Sequence, residues 1–407
     1  MGLNGGITEV ITLERACQAE GCGVVREACV KKLGAAIVKY GVSLAIVAWL
    51  IWDARGNQLF ATLLHSRKDW GLLALAWLAC FAAVAATFVR WFLLVRALDL
   101  PFTPRDAFRL GFLGYLFNFV SFGGVGGDLI KAVFIARQMP GRRAEAVATV
   151  VIDRLIGLYC LFILAALALC CTGQFASPIP EVQGIARFTL ACTGLGGLAL
   201  VVVLVPGVTN GRLSEALGRL PRIGTILRKL ITAVRIYRSR LAVLAAAGML
   251  SLAVHALNAI GIYLAARGIL PRAPSLADHF VAVPLAMVTG VLPLPVGGLG
   301  AFEGVLEFLY RRIPAGLAAE KGMGLLAAFA YRLVTVAIAA VGMGYYLAGR
   351  REVASLVQAA EQESAAEAER DLEWPAEAAE PGAVEGTPAL QLGKILSEGA
   401  GAADPSP

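Results

Sequence analysis

Residues 121–131 read S-F-G-G-V-G-G-D-L-I-K, which places four glycines, an acid and a base inside an otherwise apolar region. A related break occurs at residues 293–303, P-L-P-V-G-G-L-G-A-F-E, where a carboxylate again follows a Gly-Gly-apolar-Gly sequence. In each case an arginine, Arg154 or Arg332, stands on the next long apolar segment. Paired hydrophobic segments that glycines interrupt in this way are typical of transporters built from two repeats.

The composition is that of a membrane protein rather than of a soluble domain. Of the 407 residues, 58% are hydrophobic and only 16% are charged, and the mean hydropathy is +0.72. These values predict an all-α polytopic membrane protein. The net charge of +7 comes mostly from bases in short loops between apolar runs. Membrane topology accounts for such a pattern, so we do not expect nucleic-acid binding.

Segment length separates full membrane crossings from shorter apolar runs. About 20 helical residues cover the hydrocarbon core of a bilayer. Six segments reach this length, and they are residues 33–52, 70–95, 144–171, 184–205, 241–266 and 322–348. Arg90 lies close to the end of the second segment, and we expect its side chain to extend to the interface.

The two glycine breaks fall between apolar segments that are too short to cross. Residues 108–122 and 129–136 flank the first break, and residues 280–312 contain the second. Each break predicts a re-entrant hairpin, because non-helical backbone is tolerated at membrane depth where protein or a wet cavity covers it. Span, hairpin and span then recur in two units, about 70–171 and 241–348, which the loop charges predict to be inverted repeats.

Basic residues predict the orientation in the membrane. The stretch 211–240 carries eight bases against one acid, which predicts a cytoplasmic loop able to bind anionic lipid headgroups. Both termini are then cytoplasmic. Residues 1–32 are predicted to be a cytoplasmic N-terminal segment, because the first 30 residues have no apolar core of the kind that a cleavable signal peptide needs. Residues 350–407, rich in Ala, Glu, Pro and Gly, are predicted to be a disordered tail. We expect a multi-pass protein of the bacterial inner (plasma) membrane, with a membrane domain at residues 33–349.

Ionisable side chains within or beside the apolar segments are the candidate substrate-binding and translocation residues. They are Asp128, Lys131, Asp153, Arg154, Glu303 and Arg332. A charge inside a bilayer costs roughly 3 to over 10 kcal/mol, so each needs a partner or water. The alternative is structural, because Asp128 with Lys131 is an i, i+3 pair and such pairs can simply stabilise a fold.

The glycines and one amide complete the candidate site. The glycines are Gly123, Gly124, Gly126 and Gly127 in the first break, and Gly297, Gly298 and Gly300 in the second. They permit either close helix packing or unwound backbone whose N–H groups face an anion such as phosphate. Asn118 is predicted either to bond carbonyl groups released by the first break or to pack as an amide.

Motifs for catalysis or cofactor binding are absent from the sequence. It contains no nucleophile elbow, Walker loop, zinc motif or dinucleotide fingerprint. Cys17, Cys22 and Cys29 follow no common zinc spacing, and the three histidines are scattered. His255 with Asn258 is predicted to form an interhelical hydrogen-bond pair. We expect neither an enzyme nor a bound cofactor or metal.

At these residues the chain resembles the transmembrane domain of the lysylphosphatidylglycerol synthase/flippase family, also called flippase-like domain proteins. The matching pieces are Asn118 with G-G-V-G-G-D and a base three residues on, Asp153-Arg154-Leu155, residues 293–303, and Arg332. The resemblance covers about residues 33–350. Many relatives have glutamate at the position of Asp128, a difference that leaves the architecture unchanged and bears on the substrate.

The resemblance implies a flippase that moves a phospholipid or another phosphate-bearing lipid between leaflets. Arg154 and Arg332 would receive the phosphate, and Asp128 and Glu303 would position them or meet a cationic headgroup. Two-domain relatives add a soluble aminoacyl-transferase domain, whereas only a short tail follows here, so lipid aminoacylation is not expected. The alternatives are a secondary transporter of a small solute or ion, and a non-transporting membrane scaffold. The oligomeric state stays open.

Overall fold

A computed structural model of the chain describes residues 67–120, 126–138, 143–204, 237–291, 300–313 and 320–349. The predicted span at residues 33–52, most of the loop 211–240 and the tail 350–407 lie outside the described residues. The chain divides into two units, Met1–Val357 and Gln358–Pro407, and every described residue belongs to the first.

The described residues form nine α-helices and no strand. They are α1 (Trp70–Arg96), α2 (Pro104–Val120), α3 (Gly126–Gln138), α4 (Arg143–Cys171), α5 (Pro180–Leu204), α6 (Leu241–Ile269), α7 (Leu276–Met287), α8 (Ala301–Tyr310) and α9 (Met323–Ala348). Short 3₁₀ helices occur at Gln174–Ala176, Arg238–Arg240 and Val288–Val291.

Five of these helices, α1, α4, α5, α6 and α9, are long and apolar enough to cross a membrane. They correspond to five of the six predicted spans, and the sixth lies outside the described residues. The prediction of an all-helical polytopic membrane protein is therefore confirmed. The outer surface agrees with it, because α5 exposes large apolar side chains such as Phe188, Leu195 and Leu198, and apolar surface of this extent suits contact with lipid.

The two glycine breaks separate pairs of short helices that pack on each other. In the first pair α2 has 17 residues and α3 has 13, and in the second α7 has 12 and α8 has 10. Since a helix rises 1.5 Å per residue, α3, α7 and α8 are too short for a hydrocarbon core of about 30 Å. Each pair is in contact, as expected for a hairpin, and the connecting residues 121–125 and 292–299 lie outside the described residues.

Both hairpins begin with the same device. The hydroxyl of Thr103 accepts a hydrogen bond from the backbone N–H of Asp106 at 3.2 Å, and Asp106 accepts one from the N–H of Thr103 at 3.2 Å. Ser275 and Asp278 make the same reciprocal pair before α7, at 3.2 and 2.9 Å. These capping boxes satisfy backbone donors that the first turn of a helix leaves open. They fix where α2 and α7 begin.

The helix contacts are related in the two predicted repeat units, and the hairpin of each unit packs against the last helix of the other. The first helices of the units, α1 and α6, pack along each other. The hairpin helix α2 packs on α9, the last helix of the other unit, and α7 packs on α4 in the corresponding way. Within each unit, α3 packs on α4 and α8 packs on α9. Such a pattern agrees with two repeats whose hairpins each contact the closing helix of the other.

Glycines allow the closest of these helix approaches. A Cβ atom at Gly261 on α6 would overlap the sulfur of Cys80 on α1. A Cβ atom at Gly342 on α9 would overlap the carbonyl oxygen of Phe112 on α2. Small residues at such positions let helix backbones approach in membranes. The small-residue interpretation of glycine therefore applies to the spans themselves as well as to the breaks.

Candidate functional site

The start of α3 is held by the preceding helix. The backbone N–H of Gly127 donates to Oδ1 of Asn118 on α2 at 3.0 Å. A Cβ atom at Gly127 would overlap the carbonyl oxygen of Gly114, so only glycine fits this crossing. The side-chain oxygen of Asn118 thus accepts from a helix-start amide, as a capping side chain does. That Asn118 also bonds carbonyl groups released by the first break stays a prediction, because residues 121–125 lie outside the described residues.

The start of α8 is held by its own third residue. Gly300 has φ +89°, in the left-handed region that favours glycine, and its N–H donates to Oε2 of Glu303 at 2.7 Å. The N–H groups of Gly127 and Gly300 are therefore both bonded within the protein, and the prediction that they face a ligand is wrong for these two. Gly126 begins α3, and the remaining predicted glycines, Gly123, Gly124, Gly297 and Gly298, lie outside the described residues.

Asp128, the third residue of α3, binds two bases. Its Oδ2 accepts a hydrogen bond from Nε of Arg154 on α4, and its Oδ1 lies 3.9 Å from Nζ of Lys131 one turn along α3. Nζ of Lys131 also lies 5.1 Å from the ring centroid of Trp91, in cation–π range. The side chain of Arg154 is 51% exposed, whereas that of Asp128 is 14% exposed. The base can therefore reach a ligand that the acid cannot.

Glu303, the third residue of α8, binds one base. Its Oε1 accepts a hydrogen bond from Nε of Arg332 on α9 at 2.8 Å, while Oε2 is bonded to Gly300. The Glu303 side chain is fully buried and that of Arg332 is 20% exposed. Both carboxylate oxygens have partners, as a buried charge requires.

The two pairs are equivalent in the two units. Each joins an acid at the third position of the second hairpin helix to Nε of an arginine on the next helix. The acids at these positions also lie in the first helical turn, where the helix dipole favours negative charge. Four of the predicted site residues, Asp128, Arg154, Glu303 and Arg332, are thus placed in two matching pairs.

The sequence matches the family described as Lysylphosphatidylglycerol synthase TM region over residues 36–342. The chain belongs to this family. The matched range contains both hairpins and both acid–arginine pairs of this lysylphosphatidylglycerol synthase transmembrane region, which confirms the predicted membership. No curated protein matches the sequence significantly.

Asp153 of the family domain has a partner that the sequence analysis did not assign. Nε and Nη2 of Arg90 on α1 donate to its two carboxylate oxygens at 2.7 and 3.0 Å, and Nη1 of Arg90 donates to the hydroxyl of Ser251 on α6 at 2.7 Å. Arg90 is only 5% exposed. The prediction that it extends to the interface is wrong, because a fork-shaped guanidinium is better satisfied by a buried carboxylate.

Glu307 is a second residue of the family domain that the sequence analysis missed. Its carboxylate accepts three backbone N–H groups at the start of α9, from Gly322 at 2.8 Å, Gly324 at 2.9 Å and Leu325 at 3.1 Å. These are donors that a helix leaves unpaired in its first turn. The sequence did contain a signal for Glu307, because it lies four residues after the candidate Glu303 and therefore on the same side of the helix.

The remaining polar groups of the family domain form no metal site within the described residues, where no three acids, histidines or cysteines lie close enough to hold an ion. Nε2 of His255 lies 2.9 Å from the carbonyl oxygen of Gly157 on α4, while Asn258 donates to Val254 in its own helix at 3.0 Å. The predicted interhelical hydrogen bond is therefore present for His255, which joins α6 to α4, whereas Asn258 bonds within its own helix.

Proposed function

We propose that this protein moves a phosphate-bearing amphipathic lipid between the leaflets of a membrane. Family membership supports a membrane role of this kind. The observation that carries the proposal is the matched pair of acid–arginine contacts, Asp128–Arg154 and Glu303–Arg332, each at the start of a short hairpin helix. Ionisable groups kept inside an apolar bundle are by default a substrate pathway.

In this proposal the two arginines are the groups that meet the phosphate. A guanidinium presents several N–H donors in a planar fork that matches phosphate oxygens. The acids hold each arginine by Nε, which restricts the side chain before the ligand arrives and lowers the entropy lost on binding.

An apolar cavity offers a place for an acyl chain. It has a volume of about 310 Å³ and lies between α4 and α7, where the closing helix of the first unit meets the hairpin of the second. Its lining is apolar apart from one threonine, and consists of Leu164, Leu167, Ala168, Cys171, Thr172, Ala277 and Phe280. This open, apolar lining would suit the hydrocarbon part of a lipid.

We also propose where the protein acts and that it leaves its substrate chemically unchanged. The protein acts in the bacterial inner membrane with both termini cytoplasmic, where the basic stretch 211–240 binds anionic headgroups. It moves the lipid without changing a covalent bond and needs no cofactor, so it is not an enzyme.

Reconstitution tests the proposal directly. Proteoliposomes carry a fluorescent phosphatidylglycerol in both leaflets, and a membrane-impermeant quencher reports which leaflet holds it. We expect the full chain to make the inner pool accessible. The double variant Asp128→Ala/Arg154→Ala is expected to abolish this, while Arg272→Gln, an exposed base outside the site, leaves it unchanged. Translocation by the double variant at the wild-type rate would show that Asp128 and Arg154 do not take part in lipid movement.

A second candidate is a secondary transporter of a small solute or ion. The observation that favours it is the buried polar set Arg90, Asp153 and Ser251, which joins α1, α4 and α6. Buried charges of this kind also line ion and proton pathways. Uptake of a water-soluble substrate, or a current across the proteoliposome membrane in the absence of lipid movement, would favour this candidate.

A further inference from the structure

Helices α1 and α6 cross at two equivalent points. Cys80 and Ser251 each lie ten residues after the first residue of their helix, whereas Arg90 and Gly261 each lie twenty residues after it. At the first crossing, Nη1 of Arg90 donates to the hydroxyl of Ser251 at 2.7 Å. At the second crossing, a Cβ atom at Gly261 would overlap the sulfur of Cys80. The same two helix positions meet twice, as expected for repeats related by a two-fold axis.

Charged and polar groups bond the first crossing. Arg90 brings a buried charge to it, and the same guanidinium also donates to both carboxylate oxygens of Asp153. One turn along α6 from Ser251, Nε2 of His255 lies 2.9 Å from the carbonyl oxygen of Gly157 on α4. The first crossing therefore joins α1, α4 and α6 through several hydrogen bonds at once.

Apolar packing holds the second crossing, where neither residue is charged. Cys80 lies in an apolar cluster of α1, α2 and α9, and the ring of Tyr331 packs against this cluster. Tyr331 takes the place that Asp153 has in the first unit, since each precedes the arginine of an acid–arginine pair. Beyond this crossing the helices are joined at their ends, where the backbone N–H of Asp69 donates to the carbonyl oxygen of Gly268 at 3.0 Å.

The apolar cavity between α4 and α7 lies at the same end of the molecule as the second crossing. Tyr263, two residues after Gly261, packs edge to face on His279 of α7, with ring centroids 5.2 Å apart. Phe280, the next residue of α7, lines the cavity opposite Leu167 of α4. The two units are therefore separated by open apolar space near the crossing that has no charged residue.

Separating the units costs more at the first crossing than at the second. A charged hydrogen bond that breaks inside a bilayer finds no water to replace the lost partner. Contacts between apolar groups can be replaced by contacts with acyl chains, because lipid tails are as apolar as aliphatic side chains. The second crossing is therefore the one that opens more easily.

We propose that the two units separate at the second crossing to admit a membrane lipid, while the first crossing stays closed and acts as a hinge. The acyl chains of the lipid enter the cavity between α4 and α7, since lipid is the apolar molecule that surrounds the protein at this depth. This deepens the proposed function, on which the identity of the occupant as a transported lipid rests.

Native cysteines at both crossings provide the test. Cys80 lies at the second crossing, and Sγ of Cys160 lies 3.5 Å from the carbonyl oxygen of Gly248, three residues before Ser251 at the first. Cys80 is 2% exposed and Cys160 is 5% exposed, so that alkylation of either thiol requires the protein to open to water. The full chain in nanodiscs of phosphatidylcholine and phosphatidylglycerol is treated with N-ethylmaleimide, and mass spectrometry follows each cysteine.

The rate at each cysteine is divided by its rate in the denatured chain, which removes differences in intrinsic reactivity. We expect Cys80 to react at least roughly tenfold faster than Cys160, because its crossing opens at a lower free energy. Cys170, which is exposed, is the reference for an open thiol. Equal rates at Cys80 and Cys160, faster reaction of Cys160, or no reaction of Cys80 while Cys170 is modified would each overturn the proposal.

The hinge is tested with Asp153→Asn, which leaves the buried charge of Arg90 without its opposing charge. We expect the rate at Cys160 to rise towards that at Cys80, because water enters to solvate the guanidinium. Glu181→Gln, which changes an exposed acid, should leave both rates unchanged. If the folded variant, judged by size-exclusion chromatography, keeps the slow rate at Cys160, or if both cysteines accelerate by the same factor, the ion pair does not hold the first crossing closed.

The occupant of the cavity is tested with phosphatidylglycerol that carries a diazirine on one acyl chain. We expect several-fold more cross-links to residues 164–172 and 277–280 than to Leu195 and Leu198, which lie exposed on α5. Equal labelling would show that the cavity meets lipid only as the outer surface does, and would overturn this assignment.

Failure of this inference differs from failure of the proposed function. Lipid movement in proteoliposomes together with equal rates at Cys80 and Cys160 would overturn the inference and leave the proposed function standing. Faster reaction of Cys80 without lipid movement would count against the proposed function alone.

Discussion

Asp153 and Arg154 are neighbours in the chain, yet they bond helices on different sides of α4. Asp153 accepts two hydrogen bonds from Arg90 on α1, and Arg154 donates to Asp128 on α3. The first hairpin is thereby joined through one dipeptide to the helix that packs along α6. A change at either residue should affect both the fold and the candidate site, and the variants below are chosen to separate the two effects.

The first prediction concerns the buried pair of Arg90 and Asp153. Arg90→Leu should lower the free energy of unfolding by about 3 to 5 kcal/mol, because it leaves the Asp153 carboxylate buried without its partner. The double variant Arg90→Leu/Asp153→Leu should be more stable than Arg90→Leu. Denaturant unfolding in mixed micelles measures these differences. Arg96→Leu, an exposed base on the same helix, is the control, and an equal loss in the control would argue against the buried pair as the cause.

The second prediction concerns the contact between α1 and α6. Gly261→Ala should destabilise the protein by about 1 to 3 kcal/mol, because the added methyl group overlaps the sulfur of Cys80, so that either this side chain or the helices must shift. Gly248→Ala on the same helix is a matched control, since its Cβ would lie 4.0 Å from the sulfur of Cys160, an ordinary contact distance. Melting temperatures of the two variants check the prediction, which would be contradicted if both changed alike.

The third prediction concerns the start of α9. Glu307→Gln should cost about 1.5 to 3 kcal/mol, because it exchanges a charged acceptor for an amide whose NH₂ group opposes the backbone donors. Hydrogen exchange should become faster at the amides of Gly322, Gly324 and Leu325. Glu320→Gln, at an exposed position nearby, provides the comparison. Unchanged exchange at these amides in Glu307→Gln would show that the carboxylate does not hold the helix start.

The fourth prediction concerns a buried hydrogen bond within the second hairpin. The hydroxyl of Tyr310 lies 2.5 Å from Nε2 of His279, whose Nδ1 lies 2.8 Å from the carbonyl oxygen of Ser275. Tyr310→Phe should cost about 1 to 3 kcal/mol, because it leaves the ring nitrogen of His279 buried without a partner. Tyr345→Phe, at a residue 38% exposed, should cost little. Similar thermal stability of the two variants would contradict the assigned bond.

The sequence predicted the parts of the fold that depend on local composition. Apolar length identified the five spans that the structure describes, and the glycine breaks identified both pairs of short helices. The acid–arginine pairs could be anticipated because the same residue types recur at the same places in two units. An internal repeat allows one half of a sequence to be compared with the other, so that residues at equivalent positions can be identified from the single sequence.

The partners of single charges could not be predicted in the same way. Arg90 has the same local surroundings whether it extends to the interface or bonds Asp153, which is 63 residues away, so only the packing of α1 on α4 decides. Glu307 binds backbone groups rather than side chains, and no residue type marks such partners in a sequence. The bond from Gly127 to Asn118 could not be predicted because an amide side chain can both donate and accept.

The crossing of Cys80 and Gly261 has a mechanical consequence. The sulfur of Cys80 fills the space that a side chain at Gly261 would take, while the nearest backbone atoms of α1 would lie at ordinary contact distance from such a side chain. The spacing of α1 and α6 therefore depends on glycine facing cysteine at this point, and a larger residue at either position would push against the other helix.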